Sequence, residues 1–176
     1  AAAVAAAVSA SLCDYATVDQ LLAIGLYGAI RGEELGKIYS REVGGPSVVE
    51  RIKLAYTIAN EVGTHEEKLK RLAQIIGSGL HISEAVPCAF GIIALNKQDP
   101  FHAIIDAVNV GYDTDTIATI VGSIVGALID QEDARFAPLF RDVQTANNYD
   151  LISLAESLAN VVNENDESKG KISLDL

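Results

Sequence analysis

The chain of 176 residues has no methionine and no tryptophan, and aromatic residues make up only 6% of it. Sheets lean on aromatic and β-branched side chains. A scarcity of rings beside 49% hydrophobic residues, most of them Leu, Ile, Val and Ala, therefore favours packed helices, and the length suits one domain with a real core. Cysteine is sparse as well. Cys13 and Cys88 stand far apart without C-x-x-C spacing or an adjoining histidine cluster, which suggests neither a zinc site nor a disulfide framework and fits a reducing cytoplasm. Basic residues are outnumbered, with 13 Lys and Arg against 24 Asp and Glu, and the formal charge of −11 excludes nucleic acid and anionic membrane surfaces as expected partners. Solubility accounts for that charge, but a phosphate-bearing small ligand would need a metal ion or local amide donors to offset it. Long hydrophobic runs are also missing: the most apolar stretch, 117–129, falls short of the roughly 20 residues that cross a bilayer. The Ala-rich opening, 1–10, lacks the basic leader of a signal peptide and reads as a buried helix. With no Met at position 1, a start inside a helix suggests a piece of a longer protein.

Helix signals recur along the chain. Thr17-x-x-Gln20, Ser47-x-x-Glu50 and Thr64-x-x-Glu67 each put a hydroxyl three residues before an acid or amide at the head of an apolar-periodic run, the signature of a capping box. Leu21, Leu22, Ile24, Gly25, Gly28 and Ala29 recur at helical spacing, as do Val49, Ile52, Leu54, Ala55, Ile58 and Ala59. The third helix, 66–76, is expected to stop at Gly77-Ser78-Gly79. A further helix is expected from Glu84 or Pro87 to Leu95, and Asp99-Pro100 supplies an N-cap and a first-turn proline for 101–108. The run 117–129 is apolar nearly all round, which predicts a central helix, and Gly122 and Gly126 would admit a close neighbour. The last helix is expected over 149–162, followed by a polar tail, 163–176. No stretch alternates with period two and no repeat is present, so the fold class is all-α, a compact multi-helix domain.

One constellation stands out. Asp113, Thr114, Asp115 and Thr116 follow Gly111-Tyr112 at the head of the apolar 117–129 run. Two carboxylates and a hydroxyl there can converge on hard divalent cations, which take oxygen ligands. Equally, Asp113 or Thr114 can cap the helix while Asp115 complements its dipole. A cap needs one polar side chain, and four consecutive ones exceed that need.

The segment Asp106-Ala107-Val108-Asn109-Val110-Gly111-Tyr112-Asp113-Thr114-Asp115-Thr116-Ile117-Ala118, with the following Gly122-Ser123-Ile124-Val125-Gly126-Ala127, resembles the C-terminal signature of ADP-ribosylglycohydrolases, a family that includes dinitrogenase reductase-activating glycohydrolases and ADP-ribosyl-acceptor hydrolases. The resemblance implies that Asp113, Asp115 and Thr116 ligate a pair of divalent cations, Mg2+ or Mn2+. Gly77-Ser78-Gly79-Leu80-His81 and the residues up to Ala89 are similar to the family's preceding loop, which implies contacts to ADP-ribose from Ser78, Gly79 and Leu80, and from Gly111 and Tyr112 of the motif itself; an ordinary glycine helix stop is the alternative for Gly77-Ser78-Gly79. Tyr112 stands where the family usually has a second glycine. His81 is expected to be a local structural residue, and His65 and His102 surface positions on helices. The resemblance covers 1–162 as the C-terminal part of a longer family member. The Thr-Asp-Asp motif that supplies the family's other metal ligands does not occur here, so no catalytic acid or base is assigned within this chain. What the resemblance implies is metal-dependent hydrolysis of the bond between ADP-ribose and an acceptor, either a protein side chain or a small molecule. A helical relative with a structural or ADP-ribose-binding role is the alternative. Acceptor and oligomeric state are not legible.

Overall fold

The computed structural model describes residues 1–41, 44–130 and 133–169, with side chains described through 163. All regular structure among the described residues is helical, and the chain divides into two compact units, Ala1–Asp130 and Gln131–Leu176. The first unit holds α1 (Ala2–Ser11), α2 (Val18–Tyr39), α3 (Val48–Asn60), α4 (His65–Arg71), α5 (Ile82–Leu95), α6 (Pro100–Asn109) and α7 (Thr114–Val125). A π-helical turn, Leu72–Ile76, follows α4, and a 3-10 turn, Gly126–Leu128, follows α7.

Local chemistry sets the helix starts. Thr17 and Thr64 form complete capping boxes with Gln20 and Glu67. The carboxylate of Glu67 lies below its ordinary pKa because it accepts from the backbone N–H and side chain of Thr64. Ser47 caps α3 through the Glu50 N–H, but the Glu50 carboxylate turns to Lys53 instead of closing the box. Asp99 accepts from the His102 N–H, with Pro100 at the first helical position. Pro87 does not delay α5, which starts at Ile82; it removes one backbone donor, and the burial of Ala85 to Ala94 outweighs that loss.

That helix is the centre of the unit. Ala85 to Ala94 are buried without a break, and α2, α3, α6, α7 and the π turn all pack against α5. Burial of Phe90, Ile92 and Ile93 alone contributes on the order of 5–9 kcal/mol. The expectation that the 117–129 run is central fails. It breaks into α7 and the 3-10 turn, and α7 buries only the stripe Ile117, Val121, Ile124 and Val125 while Thr119 and Ser123 are exposed. A helix so apolar in sequence is nonetheless one-sided in the fold, because Thr and Ser fill its outer face. Close helix approach is also not at Gly122 and Gly126: a Cβ on Gly122 would touch only Ile104 at 4.0 Å, and one on Gly126 would meet nothing within 4 Å. It occurs at α2, where a Cβ on Gly28 would lie 2.5 Å from the Ala6 methyl and 2.7 Å from the Ala2 carbonyl. The Ala-rich α1 lies in that groove because neither side carries more than a methyl group.

The second unit contains α8 (Phe136–Asn147) and α9 (Leu151–Lys169). The first of these has no counterpart among the sequence expectations, although Phe136, Leu139, Phe140 and Val143 recur at helical spacing. Phe136 and Phe140 stack at 5.8 Å, and Asn148 ends α8 in the left-handed conformation. The last helix runs past 162 to Lys169, since polarity alone does not stop a helix and neither glycine nor proline occurs between Leu151 and Lys169.

Two outcomes are expected. Gly28→Ala lowers stability by about 1–3 kcal/mol through overpacking, whereas Gly36→Ala, with open space around its Cβ, gains up to about 1 kcal/mol in helix propensity; urea unfolding of both variants reads the difference. Cys88 is fully buried and its thiol is pushed up to about 12 by desolvation, while Cys13 is exposed. Maleimide at neutral pH should therefore label Cys13 alone until the protein is unfolded, with mass spectrometry as the readout.

Candidate functional site

Two glycine-bearing loops meet at the head of α7. The first, Gly77 to His81, leaves the π turn with Gly77 at φ 86°, and the carbonyls behind it are held from outside: Arg51 donates to the Ile75 oxygen at 3.3 Å and to the Ile76 oxygen. The second carries Gly111 at φ 93° and Tyr112 at φ 64° into Asp113. A left-handed residue at position 112 explains why glycine suits that place. Tyr112 adopts the same conformation at a cost of about 1–2 kcal/mol.

The loops are tied by one backbone bond, from the Asp113 N–H to the Ser78 carbonyl at 2.9 Å. Beside it, the Gly79 N–H donates to Glu84 Oε2 at 3.1 Å, and the Tyr112 ring lies over Gly79 so closely that a Cβ there would be 2.8 Å from its Cε1. Ser78 is buried, whereas Leu80 and Tyr112 are 76% and 83% exposed. Of the substrate-binding candidates, the structure thus brings Ser78 and Gly79 against the motif and leaves Leu80 and the Tyr112 ring facing outward.

The carboxylate of Asp113 does not behave as a helix cap. Asp113 occupies the N-cap position of α7, yet its side chain accepts no cap hydrogen bond. Instead Oδ1 accepts from the Thr116 hydroxyl at 3.0 Å, and Oδ2 is buried with no partner among the described residues. A buried carboxylate oxygen left unpaired is expensive, by several kcal/mol where the group is charged. Asp115 and Thr116 are consecutive and exposed on the first turn of α7, directly before the buried Ile117. Thr116 spends its proton on Asp113, so the lone pairs of its oxygen stay available. The set therefore offers an orphaned carboxylate oxygen, a second carboxylate and a hydroxyl oxygen, donors that suit a hard divalent cation.

His81 begins α5 with its carbonyl accepting from the Glu84 and Ala85 N–H groups, and its exposed ring makes no cap bond. His65 and His102 do lie on helices with half-exposed rings, but they are more than surface positions. Both direct Nε2 at the buried carboxylate of Asp106, at 2.6 and 3.5 Å. The local signal, His102 four residues before Asp106 on one helical face, was available in the sequence; His65, 41 residues from Asp106, was not.

A family model described as ADP-ribosylglycohydrolase matches residues 1–167. The uncharacterized protein YegU of Escherichia coli (strain K12) is 34% identical over 82 residues, which cover 47% of this chain and 25% of that protein. The chain thus aligns with about a quarter of that relative's length. No solved structure matches.

A Cβ at position 79 would lie 2.8 Å from Tyr112 Cε1 and 2.6 Å from Glu84 Oε2, so Gly79→Ala must move both side chains and give up the Gly79 N–H bond to Glu84; urea unfolding should show a loss of about 0.5–1.5 kcal/mol.

Proposed function

The chain belongs to the ADP-ribosylglycohydrolase family, and from that premise we propose that it supplies part of the site of a metal-dependent hydrolase. The bond cleaved joins ADP-ribose to an acceptor, a protein side chain or a small molecule. The observation that carries this reading is Oδ2 of Asp113, buried and without a partner among the described residues, on the carboxylate that accepts from the Thr116 hydroxyl. Asp113, Asp115 and Thr116 would hold the cations, Mg2+ or Mn2+, through oxygen. When bound, such cations neutralise phosphate or alkoxide charge and hold or acidify a water.

The chain's own residues have separable tasks. The Thr116 hydroxyl fixes the rotamer of Asp113 by donating to Oδ1, so that Oδ2 is aimed without a conformational search. The bond from Asp113 N–H to the Ser78 carbonyl sets the spacing between the two loops, and with it the distance from ligand contacts on Ser78, Gly79 and Leu80 to the carboxylates. Gly111 and Tyr112 form the other side of the ADP-ribose contact, with the exposed phenol ring offering a flat apolar face to a base or ribose. Glycosidic cleavage at the anomeric carbon develops oxocarbenium character, which a carboxylate-rich surface favours. The same surface, on a chain of charge −11, repels a diphosphate until it is neutralised. Binding of the anionic ligand is therefore expected to depend on divalent cation.

Calorimetry on the full-length protein tests this. Mn2+ or Mg2+ should bind, ADP-ribose should bind only in its presence, and Asp115→Ala should weaken the metal by at least about tenfold and abolish ADP-ribose binding with it. A wild-type protein that takes up neither ligand would leave a helical relative with a structural role as the better description.

A further inference from the structure

Asp106 lies on the inner face of α6 and is 5% exposed. Its carboxylate Oδ2 accepts from the Asn96 side-chain amide at 2.7 Å and lies 2.6 Å from His65 Nε2, while Oδ1 lies 3.5 Å from His102 Nε2. No lysine or arginine among the described residues pairs with it; the neighbouring Lys97 is 2.7 Å from Asp19 instead. The charge of a buried carboxylate with an amide and two imidazoles around it is offset either by a proton on an imidazole or by a cation that joins the group.

The two histidines are arranged as ligands would be. Their rings meet edge to face, 66° apart with centroids at 5.5 Å, and both present Nε2 to the same side. One ligand atom from each of His65, His102 and Asp106 lies within 4.8 Å of the others. Around a tetrahedral ion with bonds of about 2.0–2.2 Å, ligand atoms stand roughly 3.3–3.6 Å apart, so modest turns of two half-exposed rings close the set. Each member is placed by its own local device: the Thr64 capping box starts α4 at His65, the Asp99 cap holds the His102 N–H, and Asn96 steadies Asp106 while also donating to the Ile92 carbonyl. On the outer side a cavity of about 390 Å³ is lined by His65, Asn96, Lys97, Gln98, Asp99 and His102, leaving room for water or an exogenous ligand in a fourth position.

We propose that His65, His102 and Asp106 form a second metal centre, separate in chemistry from the all-oxygen set at Asp113, Asp115 and Thr116, which takes a borderline transition ion of the Zn2+ class. Two imidazoles and one carboxylate select such ions over Mg2+ or Ca2+. The ion would join α4, the end of α5 and α6, the helix that leads into the Gly111 loop. It does not depend on the hydrolase reading.

Co2+ titration of the full-length Asp115→Ala protein, followed by visible absorption, tests the centre without interference from the oxygen set. One Co2+ per chain is expected, displaced by Zn2+ and not by Mg2+, and His65→Gln or His102→Gln should weaken it by at least about tenfold. Glutamine keeps an N–H for Asp106 but is a poor ligand, so an unchanged thermal midpoint in these variants shows that the fold is intact. Equal Co2+ affinity with and without the histidines, or no stoichiometric binding at all, would reduce the cluster to hydrogen-bond donors around a buried carboxylate and overturn the proposal.

Discussion

The unbroken burial of α5 from Ala85 to Ala94 is the constraint on which the first unit depends. A helix whose residues from Ala85 to Ala94 all lie inside must be covered on every side, and covering it requires several other helices. Gly91 shows how tight that cover is, since a Cβ there would sit 2.6 Å from Leu72 and 3.0 Å from Ala55. Leu72 belongs to the π turn and Ala55 to α3, so the same contact that closes the core also fixes the element from which the Gly77 loop departs. Leu72 and Ile76, four residues apart, share the buried face of the π turn, and its i→i+5 bond runs from the Gly77 N–H to the Leu72 carbonyl at 3.2 Å.

The loop geometry at the head of α7 follows from this scaffold. The Gly77 loop is anchored behind by Arg51 and ahead by the start of α5, and α7 packs on α5 through Ile117, Val121, Ile124 and Val125. Two segments more than 30 residues apart in sequence are thereby held close enough for one backbone bond, Asp113 N–H to Ser78 carbonyl, to join them. Side chains would obstruct that approach, which is why Gly79 is bare where Glu84 and Tyr112 close over it. Preorganisation of this kind places carboxylates before any ligand arrives and reduces what binding must spend on ordering them.

What the sequence disclosed was local chemistry. Caps at Thr17, Ser47, Thr64 and Asp99 each depend on residues three positions apart, so they could be read directly, and the all-helical class followed from composition and period. The rank of the helices could not be read the same way. The 117–129 run reads as the central helix although Thr119 and Ser123 interrupt it, whereas 85–94, which carries no polar side chain, is the segment the fold buries; how many neighbours a helix acquires is a property of the assembled fold. Gly122 and Gly126 looked like a packing seam, whereas the seam proved to be Gly28 against the alanines of α1, where the partner face is as small as the glycine face. The Asp113 motif was visible as a string of polar residues, but its two readings, cap or ligand, differ only in where Oδ2 points.

The two clusters of the first unit show the same physical condition met in two ways. At Asp113 a carboxylate oxygen is buried without a partner among the described residues, and at Asp106 a carboxylate is buried with partners that do not carry a fixed positive charge. Neither arrangement is what core packing alone would select, since an apolar residue of similar volume avoids the desolvation altogether. Both aspartates flank one short stretch of chain, Asp106 on α6 and Asp113 at the head of α7, with Gly111 and Tyr112 in left-handed conformations between them. A cation drawn to either carboxylate would lower the charge felt by the other only through the intervening protein, but it would also fix one end of the Gly111 loop.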